Sequence, residues 1–259
     1  MFITNNPKRA LMFIMGALVL VGFGVAQLIY KQGNAAVDPR IVHARELYST
    51  YNTVAQANNF TEVLALLDSI ELVYSKVYHY KNSYEIGVLY NNRAAAYLSM
   101  ALYFENHSLS IDGIHTLSKD TLLYLSELAV LQSIKIYNNW LVEFKELDKQ
   151  VIKSEINESF FTGFEITNLK EKERFLAKRV KEISEAQIET PRRLSVAYTN
   201  LGIIKRHYEQ YDEAIQHYKQ ALDLWDKNLA AENNMNTLLG RPHKKLNLIQ
   251  RIFPSERVK

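Results

Sequence analysis

Apolar positions along this chain recur three and four residues apart over most of its length, the spacing of one face of a helix. The pattern predicts a helix from about Arg40 to Ala57 and another from Thr61 to Val77, broken at Asn58-Asn59-Phe60. Asp38-Pro39 opens the first of them, with proline in the first turn where its missing N–H costs nothing. A further helix spans about Glu85 to Phe104, and Leu122, Leu125, Ala129, Ile136 and Trp140 mark one that reaches Leu147. Residues 105–119, polar and containing Gly113, read as a loop or insertion between those two. Residues 151–168 show no clear period, and Phe160, Phe161 and Phe164 suit a buried elbow there. From 168 to 189 a charged helix turns Phe175, Leu176, Val180 and Ile183 inward. Thr190-Pro191 then ends that helix and caps the next, with threonine as N-cap and proline at the first helical position. No strict alternation bounded by turn residues occurs, so the expected fold class is all-α.

One stretch is too apolar for a helix face. Ala10 to Tyr30 contains no charge and only Gln27 as a strongly polar side chain. Twenty-one residues at 1.5 Å each match a hydrocarbon core of about 30 Å, which predicts a transmembrane anchor. Gly24-Val25-Ala26 resembles a signal-peptide cleavage site, but the apolar run exceeds the usual h-region of about 7–15 residues. The expected organisation is therefore a tail over 1–9, a signal-anchor over 10–30, a linker over 31–39, a helical domain over 40–239 and a basic tail over 240–259. Lys8 and Arg9 precede the span, while Lys31, Arg40 and Arg45 follow it, so the positive-inside count is nearly balanced. The short N-terminal tail places residues 1–9 in the cytoplasm and the domain outside, in the periplasm if the source is bacterial. The single pair Gly22-x-x-x-Ala26 is no more than chance in such a span.

Cysteine is absent, which removes disulfides, thiolate ligands and thiol nucleophiles together. The histidines form no His-x-x-x-His or Glu-x-x-His pair, and no nucleotide or nucleophile-elbow motif occurs, so neither metal nor cofactor nor enzyme activity is expected. Glu171, Glu173 and Glu182 interleave with lysines and arginines as a salt-bridged face. Asn59, Asn106 and Asn157 sit in glycosylation sequons that arise by chance in so Asn-rich a chain. The formal charge is only +3, and the tail over 240–259 holds six cations against Glu256. Leu246, Ile249, Ile252 and Phe253 put an apolar stripe along that tail, suited to an interfacial or docking helix or to a turn packed on the domain's end. No nucleic-acid motif accompanies the charge.

Residues Ala197 to Trp225 hold Tyr198-x-x-Leu201-Gly202, the turn Glu209–Glu213, and Ala214-x-x-x-Tyr218-x-x-Ala221. This stretch resembles a tetratricopeptide repeat, a 34-residue helix–turn–helix unit. The resemblance implies that Gly202 and Ala214 leave room where two antiparallel helices cross, that Tyr198, Leu201, Tyr218 and Leu222 fill the space around the crossing, and that Ala221 is a further small packing residue of the repeat. Gly202→Ala is then expected to cost little, and Gly202→Leu much. Lys205 stands where the repeat usually has an aromatic residue. Asp226 stands where it usually has proline, so the second helix is expected to run smoothly toward Leu229. "LYNNRAAAYL" (89–98) is similar to a first helix, with Ala94 at the crossing, Tyr97 behind it and Ala129 as the small contact on its partner. Residues 57–74 are similar to a turn and second helix, with Val63 in place of alanine. The expectation is an α-solenoid of about three irregular helical hairpins behind the anchor.

In such solenoids the first helices line a groove that holds peptides or partner helices. The matching positions are Asn91, Asn92, Ala95, Thr199, Ile203 and Arg206. A carboxylate clamp is not implied, because Val196 and Asn200 stand where cations would be needed. The resemblance, joined to the anchor expected over 10–30, implies a membrane-tethered interaction adaptor or assembly factor with a protein or peptide partner, or alternatively a structural subunit of a membrane complex.

Overall fold

The computed structural model describes residues 37–106 and 117–245. Eight α-helices and no strand occur among the described residues: α1 (Val42–Gln56), α2 (Phe60–Ser75), α3 (Tyr84–Asn106), α4 (Lys119–Phe144), α5 (Lys149–Phe161), α6 (Leu169–His207), α7 (Tyr211–Leu224) and α8 (Leu229–Leu238). None of them is long and apolar enough to cross a membrane, and the apolar stretch 10–30 lies outside the described residues.

Three antiparallel hairpins, α1/α2, α3/α4 and α6/α7, follow one another, with α3 packed on α2 and α6 packed on both α3 and α4. The turns of the first and last hairpins are built alike. Asn58 (φ 56°) and Glu209 (φ 62°) each take the left-handed conformation that ends a helix. In the first, Asn58 and Asn59 donate their backbone N–H groups to Ala55 and Val54; in the last, Glu209 and Gln210 donate to Arg206 and Lys205. These paired bonds close the orphan carbonyls of the helix end. Asn59 then caps α2 by accepting from Glu62 N–H.

The close approach of α6 and α7 comes from Gly202. A Cβ built there would stand 2.5 Å from Cε1 and 2.7 Å from Cδ1 of Tyr218, whose side chain is fully buried. The hairpin α3/α4 repeats this contact with Gly87 against Tyr137 at the same distances. Its register therefore differs from the expectation that Ala94 marks the crossing. Ala94 lies two turns further along the same seam, where Ser126 Oγ donates to its carbonyl at 2.8 Å, as Ser133 Oγ does to Gly87. Tyr97 is half-buried beside that seam, and Ala129 is buried in it. Forty-six residues separate Gly87 from Ser133, against twelve between Gly202 and Ala214, so the insertion lengthens both helices of the hairpin and does not merely enlarge its turn.

Two further expectations are corrected. Thr190-Pro191 does not divide two helices; α6 runs through it for 39 residues. Its first half is held in the core by Phe175, Leu176, Val180, Ile183 and Ala186, and its second by Leu194, Ala197, Leu201 and Ile204, so packing on both sides outweighs the lost hydrogen bond. The chain also does not continue smoothly past Trp225. That residue is extended (φ −151°, ψ 96°), and Asn228 starts α8 by accepting from Ala231 N–H. Asn228 is buried and donates to both Ser195 Oγ (2.8 Å) and Thr199 Oγ1 (2.9 Å), which fixes α8 against α6. Residues 149–161 form α5, whose last turn holds Phe160 buried and Phe161 packed against the core, and Phe164 packs there just beyond it.

Alanine at Gly202 or Gly87 must therefore displace a buried ring, contrary to the small cost expected of a helix-favouring change. Each of Gly202→Ala and Gly87→Ala is expected to destabilise by about 1–3 kcal/mol in urea unfolding, by overpacking; a change under about 0.5 kcal/mol in both would place the rings elsewhere. Conversely, Glu209→Gly relieves a left-handed glutamate at an exposed turn and is expected to raise stability by about 0.5–1 kcal/mol in the same assay.

Candidate functional site

The first helices of the hairpins lie side by side and share polar contacts. Asn92 Nδ2 of α3 donates to Tyr48 Oη of α1 at 3.0 Å, and Asn200 Nδ2 of α6 donates to Asn91 Oδ1 of α3 at 3.2 Å. Of the six residues assigned from sequence to a partner groove, the structure buries two. Asn91 is 9% exposed and engaged with Asn200, while Thr199 is 3% exposed, donates to the Ser195 carbonyl and accepts from Asn228. Arg206 is half-buried and donates to Asn234 of α8 at 3.1 Å. Thr199 and Arg206 are thus covered by α8 of the same chain. Asn92, Ala95 and Ile203 are half-buried, and Val196, 37% exposed, is the large apolar side chain that α6 offers on its repeat half. Arg193, one turn before, lies over the Tyr84 ring of α3 at 5.7 Å.

A concavity opens where α4 and α7 end against the middle of α6. It is a cleft of about 1070 Å³ lined by Leu141–Glu143 and Lys145–Leu147, Gln187–Ile188, Pro191–Arg192, and Asp223–Asp226 among others. Gln187 Nε2 donates to the Leu147 carbonyl at 2.8 Å and also to Phe144, closing the end of α4. Val142 at the lip is 91% exposed.

The strongest charge cluster lies apart from both and is sealed. Arg179 of α6 is fully buried, pairs with Glu85 of α3 through its Nη atoms, and donates from Nε to His79 Nε2 at 3.0 Å. Its guanidinium stacks over Tyr80 at 4.3 Å. Burial alone would raise the Glu85 carboxyl, but the charge and hydrogen bonds of Arg179 hold it below its usual value. Burial would likewise lower Arg179, and Glu85 reverses that. Burial first, and Arg179 second, push the His79 imidazole down to about 3. Because Nε2 accepts from Arg179, the proton of neutral His79 resides on Nδ1, 3.2 Å from Ser159 Oγ. The groups satisfy one another, so the cluster ties α6 to the first two hairpins and offers no vacant base. Among the described residues no group of three His, Asp or Glu could hold a metal ion.

Residues 195–228 match the family model of the tetratricopeptide repeat. This segment is a tetratricopeptide repeat. No curated protein and no solved structure matches the chain. The matched stretch begins at Ser195, whose hydroxyl donates to the Ala221 carbonyl at 2.6 Å, and ends at Asn228, which caps α8. Within the repeat, Tyr198 stacks on His217 at 6.0 Å between centroids, and Leu201, Ala214 and Ala221 are buried around the Gly202–Tyr218 contact. Lys205, where the repeat usually carries an aromatic residue, reaches Glu127 of α4 at 2.9 Å and Glu213 of α7 at 3.3 Å. An ion bridge between neighbouring hairpins replaces a ring. Sequence reasoning missed Arg179, Glu85, His79 and the cleft. A buried arginine inside a charged heptad looks like any solvated cation, and a cleft formed by three helix segments has no local signature.

The His79 shift has a sign. The folded protein binds fewer protons than the unfolded chain between about pH 6.5 and 3, so this contribution is complete above pH 6.5 and is lost as the pH falls. The stability difference between wild type and His79→Gln is expected to shrink below pH 6.5 by up to about 1.4 kcal/mol per pH unit, read by denaturant titration. A difference independent of pH would mean that His79 is solvated and free to protonate.

Proposed function

We propose that this chain is a membrane-tethered adaptor or assembly factor that holds a protein partner against its helical hairpins. The observation that carries the reading is the tetratricopeptide repeat at 195–228, a unit that serves protein–protein interaction. The partner surface is the face shared by α3 and α6, where Asn92, Ala95, Val196 and Ile203 retain exposure after Asn91, Thr199 and Arg206 have been engaged within the chain. Apolar side chains flanked by amides suit a partner helix or an extended peptide, recognised by shape and a few hydrogen bonds. Residues 10–30 supply the tether by their length and lack of charge, with residues 1–9 on the cytoplasmic side and the helical domain across the membrane, in the periplasm of a bacterium.

A photo-crosslinker at Val196 in membranes is expected to capture a defined protein. Capture should fall by about tenfold or more on Ala95→Arg, a change worth at least 1.4 kcal/mol of binding. Unchanged capture with Ala95→Arg, together with a protein that follows only residues 10–30, would replace the adaptor by a structural subunit held through its anchor. Protease added to intact spheroplasts is expected to digest the domain after the span. Protection until lysis would put the domain in the cytoplasm.

A further inference from the structure

The cleft at the ends of α4 and α7 has a chemical character that the first-helix face lacks. Glu143, Glu146, Asp223 and Asp226 line it against Lys145 and Arg192. Two helices, α4 and α7, deliver their C-terminal ends to it, at Phe144 and Leu224, and so add the negative ends of their dipoles. Its walls are nonetheless apolar in part: Val142 and Ile188 are exposed, and Trp225 is half-buried beside them. An acidic rim around an apolar floor suits a segment that alternates cations with large apolar residues.

The chain carries such a segment, and the described backbone just before it heads toward the cleft. Gly240, at φ 63°, reverses the backbone after α8. Arg241 N–H then donates to the Asn236 carbonyl at 2.8 Å, and Lys244 N–H donates to Asn233 Oδ1 at 2.7 Å. Lys244 Nζ lies 3.1 Å from Glu232. The backbone from Arg241 to Lys244 therefore runs back along α8 toward its first residue, and α8 begins three positions after Asp226 of the cleft lip. Five helical steps from Asn233 back to Asn228 cover about 8 Å. The fourteen residues from Leu246 to Lys259 reach up to about 46 Å when extended. They hold Arg251, Arg257 and Lys259 against Glu256, with Ile249, Ile252 and Phe253 among them.

We propose that residues 246–259 of this chain dock in the cleft between α4, α6 and α7, with Arg251 and Arg257 facing Glu143 and Asp223, and Ile252 and Phe253 against Val142, Ile188 and Trp225. The tether gives the tail an effective concentration of about a millimolar at the cleft, so even weak contacts keep the site filled. A basic, apolar segment of another protein must then displace the tail to enter. This docking stands independently of the adaptor reading, because it uses neither the α3/α6 face nor residues 10–30.

The absence of cysteine permits a direct test in the full chain. Val142→Cys with Ser255→Cys is expected to form an intramolecular disulfide under mild oxidation at least about tenfold faster than Leu72→Cys with Ser255→Cys, an exposed pair site on α2 outside the cleft. The rate should fall about fivefold or more in 0.5 M salt, where charges at the rim are screened. It should fall similarly with Arg251→Glu and Arg257→Glu in the tail, changes that leave the helical domain untouched, and with Glu143→Lys and Asp223→Lys at its exposed rim. Equal rates for the two pairs, or a cleft pair indifferent to both sets of charge reversals, would overturn the proposal. Disulfides found only between two chains would overturn it in favour of a second copy as the occupant.

Discussion

Tyr137 and Tyr218 each lay a buried ring where a glycine on the facing helix has no side chain, and the separation of the hairpin axes depends on that fit. Close packing of this kind transmits its geometry outward. With α6 and α7 drawn together at Gly202, the Ser195 hydroxyl reaches the Ala221 carbonyl, and Asn228 reaches Ser195 and Thr199. Helix α8 is thereby fixed in the position that covers Thr199 and Arg206. The same fit at Gly87 lets Ser133 and Ser126 donate across the α3/α4 seam. The first hairpin lacks it: Tyr51, stacked on Tyr48, stands where the others have glycine, and Leu67 stands where they have tyrosine. Its helices are matched by a different distribution of bulk around the same turn.

A second tie joins the first half of α6 to the first two hairpins. Arg179 reaches Glu85 and His79 from the half of α6 that precedes the repeat, and Arg45 of α1 reaches Glu182 one turn on at 2.6 Å. Isolated, each charge would strongly oppose burial. Together they leave no polar atom of the guanidinium facing hydrocarbon, and removal of either partner would strand the other. Arg40, which bonds Asp38 and the Phe160 carbonyl at 2.7 Å, closes the same region from the start of the described chain.

What could be read from sequence follows the distance over which each signal is spread. Gly202, Tyr218 and their neighbours fall within one repeat length, so period and spacing exposed the hairpin directly. Gly87 and Tyr137 make the same contact fifty residues apart, and a run of three alanines from Ala94 mimicked a crossing in between. Pro191 obeys the statistics of a helix start, and only the core residues on both sides of it explain why the helix persists. The groove residues were placed by register alone. Register assigns a side of the helix, but it is blind to whether a later segment such as α8 returns to cover that side. The N-terminal apolar stretch and the basic tail were legible as chemistry, which is independent of where they lie.

The continuous helix α6 changes how the domain is expected to lose its structure. Stacked repeats ordinarily behave as a row of weakly coupled units, each contacting its neighbours, and they fray from the ends. Here a single helix about 58 Å long serves the core of the first hairpins with one half and forms the repeat with the other. Neither half can melt without disturbing hydrogen bonds that continue into the other. Such sharing merges what would be separate steps into one cooperative transition, and a molecule built this way behaves as a rigid lever more than as a spring.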